Sequence, residues 1–224
     1  SDLVTMMEIL QQAWMYFLSR QPEFWGALRE HLSMSGLALG FSIVVCVPLG
    51  IASARWRRGS LVILGVVNTL RVVPSLAVLF LVIPLLGLSR WSAVLALILL
   101  AMPPVLINTD AGFRSVAPSV REAARGMGMS SWQVLRRVEL PLAMPLILTG
   151  VRTATVEVIA SATLAAFVGS GGLGIYITRG FALYDNAILM VGAIPVALLA
   201  LFFEGSLGWL QTRLQVPGSV ARLG

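Results

Sequence analysis

The sequence predicts an all-α polytopic membrane protein, and three observations carry that prediction. Only 12% of the 224 residues are charged and 58% are hydrophobic, whereas a soluble domain carries about 25% charge. Five long stretches, residues 32–54, 72–89, 91–109, 158–178 and 186–203, contain no Asp, Glu, Lys or Arg. Crossing a bilayer as a helix takes roughly 20 apolar residues, and the helix is the form that satisfies backbone polar groups inside lipid. A soluble fold of this length has no room to bury five such runs. Finally, the basic residues between the runs sort by side, in the pattern that membrane topology requires.

The chain divides into an N-terminal segment (1–31), a membrane domain (32–211) with a long internal loop (113–141), and a tail (212–224). Residues 1–18 lack a basic start and place Glu8, Gln11 and Gln12 within the apolar pattern, so no cleaved signal peptide is read there. Leu3, Met6, Met7, Leu10, Trp14, Phe17 and Leu18 recur at helical spacing. That spacing favours an interfacial amphipathic helix, with a short extra span as the rival. Five membrane helices are expected at about 33–54, 61–86, 91–112, 142–165 and 186–210. The single cysteine, Cys46, reads as a small buried hydrophobe. The single histidine, His31, lies at the edge of the first run and is expected to be solvated.

All 16 basic residues are arginine. With the 55–60 loop, the 113–141 loop and the tail in the cytoplasm, ten arginines lie inside: Arg55, Arg57, Arg58, Arg114, Arg121, Arg125, Arg136, Arg137, Arg213 and Arg222. Four lie outside, namely Arg20, Arg29, Arg90 and Arg179. This positive-inside bias puts the N-terminus outside and the C-terminus inside. The formal +6 charge is spread between helices, with no soluble basic domain to form a nucleic-acid groove.

Pro48, Pro74, Pro84, Pro103, Pro104 and Pro195 fall within the expected helices. Proline removes a donor and kinks a helix, so the bundle reads as one that encloses a path or moves. Asn68 and Arg71 precede Pro74 and Ser75, and Arg152 and Glu157 lie in the fourth span. Ionisable groups at membrane depth face protein or a water-filled cavity. Arg152 can instead snorkel to the interface. Glu157 either lines the path or forms a structural salt bridge, with Arg71, Arg152 or a second subunit as partner. Gly169, Gly171 and Gly174 match a dinucleotide-binding spacing, but they follow an apolar helix rather than a strand. With Gly172 they read as a tight, flexible turn.

The 113–141 loop has structure of its own. Pro118 suits a first helical turn, and Gly126 and Gly128 close that helix. Ser130 and Gln133 form a capping box for a second helix, which Pro141 is expected to end. A small-residue helical hairpin with Arg121 and Glu122 suits insertion into a partner's cleft; packing on its own bundle is the alternative.

Glu122-Ala123-Ala124, then Gly128, then Val138-x-Leu140-Pro141 resembles the EAA–G–hydrophobic-x-Leu-Pro motif of permease subunits of bacterial ABC importers. Val138 stands where isoleucine is common. Residues 71–77 (RVVPSLA), 122–129 (EAARGMGM) and 164–174 (LAAFVGSGGLG) look like the glycine betaine/carnitine/choline permeases. Methionine importer permeases share the general pattern. The resemblance implies a type I importer bundle of about five spans. It also implies a second permease subunit, identical or paralogous, and an extracytoplasmic solute-binding protein. ATP and Mg would be used by separate ABC ATPase subunits. Arg121, Glu122, Ala123, Ala124, Gly126, Gly128, Val138, Leu140 and Pro141 would meet those subunits. Independently, a P-loop needs a lysine at the phosphates, and this chain contains none. No catalytic, metal or cofactor site is expected in it.

Overall fold

The structure is a computed structural model that describes residues 2–214. The tail expected at 212–224 therefore lies mostly outside the described residues. Ten α-helices are described: α1 (Asp2–Ser19), α2 (Gln21–Arg55), α3 (Arg57–Val72), α4 (Ser75–Leu86), α5 (Arg90–Ser115), α6 (Pro118–Gly126), α7 (Ser131–Val134), α8 (Leu140–Ser161), α9 (Gly174–Leu183) and α10 (Asn186–Leu214). A π-helical segment, Leu135–Glu139, joins α7 to α8, and a 3-10 segment, Ala162–Val168, extends α8.

Among the described residues, four helices are long and apolar enough to cross a membrane: 21–55, 90–115, 131–168 and 186–214. The bent pair α3–α4 makes a fifth if it is one span. The all-α polytopic class is thus the observed one. Helix α5 is its axis: 67% of its apolar window is buried, against 28% for α2 and for α10.

Glycine sets the closest crossings. A Cβ on Gly50 of α2 would fall 2.6 Å from Thr109 Cβ of α5, and one on Gly150 of α8 would fall 2.5 Å from the Pro104 carbonyl oxygen of α5. Lipid supplies no hydrophobic drive between helices, so small residues that let backbones approach provide the packing. Leu97, Ala101, Val105 and Leu106 of α5 pack with Met34, Ala38, Cys46, Ala154 and Val158 in the main core. Cys46 is a buried free thiol, as its place in an apolar run predicts.

Four expectations are corrected. The first span begins at Gln21 rather than near residue 33; its charged Glu23, Arg29 and Glu30 are exposed on a helix that reaches beyond the apolar run. The second span is not one helix over 61–86. Val73 adopts φ −74°, ψ 122°, and the chain turns through 103° between α3 and α4. Proline disfavours helical backbone in the residue before it, so Pro74 breaks this span rather than kinking it. Pro141 does not end the second loop helix. The π-turn, in which the Leu140 N–H reaches the Leu135 carbonyl, carries the helix through into α8. A π-turn shifts the hydrogen-bond register by one residue, and Pro141 follows directly on that shift.

His31 is fully buried rather than solvated, and its Nε2 lies 3.1 Å from the Ile159 carbonyl. Its partner is 128 residues away in the chain. Helix α1 lies along α10, with Ala13 buried and Trp14, Leu10 and Met7 exposed.

Candidate functional site

Three polar regions punctuate this apolar bundle. The first is the 113–141 loop. Pro118 starts α6 and Gly128 turns the chain with φ +84°. A Cβ there would meet nothing within 4 Å, so backbone geometry rather than space demands the glycine. The Ser130–Gln133 capping box is formed in both directions, at 3.3 and 2.7 Å. Glu122, Ala123 and Gly126 are exposed, Ala124 is buried, and among the described residues Glu122 has no ion-pair partner. Met127 and Trp132 are also exposed, at 75% and 65%. Trp132, Gln133, Arg136 and Arg137 line a groove of about 470 Å³ beside the hairpin.

Arg121 faces the other way. Its Nε lies 2.8 Å from Glu139 Oε1, and its guanidinium donates to the Phe113 carbonyl. Glu139 is buried in the π-turn and also accepts from Arg55 at 2.6 Å. One carboxylate therefore ties the end of α2, helix α6 and the start of α8. Beside it, Arg114 pairs with buried Asp110 at 2.7 Å and donates to Ser60 Oγ and the Ser53 carbonyl. The sequence reading missed Glu139 and Asp110. The signal for Glu139 was its isolation: it is the one acid between Glu122 and Glu157. Val138 and Leu140 are half-buried and Pro141 is exposed.

The second region surrounds the α3–α4 break. Arg71, Pro74, Ser75, Glu157 and Ser161 help line a cavity of about 340 Å³, with Pro103 and Leu100 of α5 behind them. Arg71 and Glu157 line the same cavity and form no salt bridge with each other. Asn68 is exposed on α3 outside the lining. Arg152 takes no part. It pairs with Glu204 of α10, where Gln211 also donates to Thr149 Oγ1 at 2.8 Å.

The third region is the glycine turn. Gly169, Gly171 and Gly172 adopt φ +68°, +76° and +79°. The Gly172 N–H donates to Glu30 of α2 at 3.2 Å, and Gly174 packs against the Thr163 backbone. Among the described residues no group of His, Cys, Asp and Glu is arranged to hold a metal.

The bundle thus presents an exposed hairpin at one end, with Glu122 on its surface. Residues 46–216 match the family model of the binding-protein-dependent transport system inner membrane component. The chain belongs to this family. It is a multi-pass permease subunit of a bacterial ABC importer in the inner membrane, and a transport subunit rather than an enzyme. The permease is 41% identical to the glycine betaine/carnitine/choline transport system permease protein OpuCB of Bacillus subtilis, over 84% of this chain and 87% of that one. It is 44% identical to the carnitine transport permease protein OpuCB of Listeria monocytogenes, over 83% and 85%. It is 40% identical to the osmoprotectant import permease protein OsmW of Salmonella typhimurium, over 84% and 87%. Its fold is similar to a chain of the MetNI methionine ABC transporter in an inward-facing crystal form. There the TM-score is 0.77 at 21% identity, covering 91% of this chain and 98% of that one.

Proposed function

We propose that the permease carries a small quaternary-ammonium compatible solute, of the glycine betaine, carnitine and choline class, inward across the membrane. A binding protein delivers the solute from outside, and ABC ATPase subunits drive the step from the cytoplasm. A second permease, identical or paralogous, completes the path, because one bundle of this size leaves its broken span open on one side. The identities to permeases named for solutes of this class support the solute. The N-terminus lies outside and the C-terminus inside. In support of this, Arg55, Arg114, Arg121, Arg136 and Arg137 gather at the end holding the hairpin, while Arg90 bonds Ser33 at the other.

The observation that carries the coupling mechanism is the exposed α6 hairpin continuing through the π-turn into α8. Glu122, Ala123 and Gly126 enter a cleft of the ATPase, and Gly128 sets the turn that presents them. When the ATPase pair closes on ATP, it pushes α6. Arg121 passes that displacement to Glu139, and the π-turn passes it to α8, which bears Glu157 at the cavity. This is coupling through a two-state element biased from one end. The test is uptake of labelled glycine betaine, carnitine, choline and methionine by the reconstituted complex, with and without ATP. ATP-dependent accumulation of at least one of the first three is expected. Transport of methionine alone, or flux without ATP, would contradict the proposal.

A further inference from the structure

We infer that the cavity at the α3–α4 break is a zwitterion subsite of the permease itself, a reading that rests on the proposed function. Arg71 and Glu157 face one cavity of about 340 Å³ without pairing. Both side chains are exposed on the single chain, whereas Arg152 is matched by Glu204, Arg114 by Asp110 and Arg121 by Glu139. Leaving a cation and an anion apart at membrane depth costs free energy unless something else answers each of them. A solute that carries a carboxylate and an ammonium on one short skeleton answers both.

The chemistry sorts the two ends. The Arg71 guanidinium is a planar fork that takes a carboxylate through two hydrogen bonds. The broken span adds to this. Helix α4 starts at Ser75 behind Pro74, with no side-chain cap on its first turn, so free N–H groups open beside Arg71. Such half-helix starts present positive potential to anionic solute groups in transporters. Glu157 takes the ammonium by charge alone, since no aromatic face lines the cavity to offer a cation–π contact. The subsite has no net charge of its own. A net-neutral zwitterion satisfies it, whereas a bare cation leaves the Arg71 charge without an anion.

The experiment uses the reconstituted complex of permeases, ATPase and binding protein, and compares uptake of glycine betaine with uptake of choline, which has the ammonium and no carboxylate. For Arg71→Gln, turnover of glycine betaine is expected to fall about tenfold with KM held, because delivery sets KM, while choline loses less than about threefold. Arg71→Lys keeps the charge without the fork and is expected to lose about threefold for glycine betaine alone. Glu157→Gln is expected to slow both solutes. Equal losses for the two solutes in both Arg71 variants, or unchanged turnover, would overturn the subsite and leave the importer reading standing. A wild-type complex that carries neither solute would overturn the importer reading, and the subsite with it.

Discussion

The two charged regions of this permease are built on opposite principles. At the hairpin end, Glu139 is buried and answered by two arginines, and Asp110 by a third. At the broken span, Arg71 and Glu157 share a cavity and remain apart. A buried charge fully matched inside the chain fixes helices relative to one another. A charge left unmatched is available to something that arrives. In the proposed mechanism the contrast separates residues that transmit force from residues that meet solute.

Stability measurements break or sharpen that contrast. The largest effect is expected where no side chain can be added: Gly150→Leu drives a branched side chain into the Pro104 carbonyl, and overpacking costs typically about 1–3 kcal/mol or more. Folded protein should be lost on size-exclusion chromatography in detergent; a normal monodisperse peak would show that α5 and α8 separate freely. Next comes Glu139→Ala. Breaking a buried pair costs about 3–5 kcal/mol. Arg55 is 52% exposed and regains water, so roughly 2 kcal/mol is expected here. Glu157→Gln, at a carboxylate with no salt bridge, should cost under about 0.5 kcal/mol. Thermal melts that rank these two in reverse would remove the distinction between matched and unmatched charge.

A second pair isolates backbone geometry. Gly128→Ala forces φ +84° on an L-residue and should cost about 1–2 kcal/mol. Gly126→Ala, on ordinary helical backbone with open space around it, should be neutral or slightly stabilising, by up to about 1 kcal/mol. Equal melting temperatures for the two variants would mean the hairpin turn relaxes. The smallest effect on stability belongs to Glu122→Gln, because that side chain is exposed and has no ion-pair partner among the described residues; its melt should match the wild type.

Much of this architecture was legible in residue order. The charge-free runs 32–54, 91–109 and 186–203 lie within α2, α5 and α10 because lipid punishes unpaired charge, whereas 158–178 runs from α8 across the glycine turn into α9. The Ser130–Gln133 capping box formed as read because both partners lie within one turn. What failed depended on partners far along the chain or on competing backbone rules. His31 was misread because its acceptor, the Ile159 carbonyl, comes to it only through helix packing. The α3–α4 break was signalled by proline's restriction on Val73, yet the apolar pattern continues across it and masks the break. The π-turn left no trace in periodicity, since Trp132, Leu135 and Val138 already fit ordinary helical spacing across it. Arg121 sits beside Glu122 in sequence, but the helix turns it inward to Glu139 while Glu122 points away.

The central claim is that force enters through the hairpin and leaves at the cavity. It is tested most directly by the number of solute molecules accumulated per ATP hydrolysed by the reconstituted complex carrying Glu122→Lys. The account predicts a fall of about tenfold or more in that ratio, or loss of the ATPase from the complex, with the permease's own melting temperature unchanged. Wild-type accumulation per ATP in that variant would contradict it.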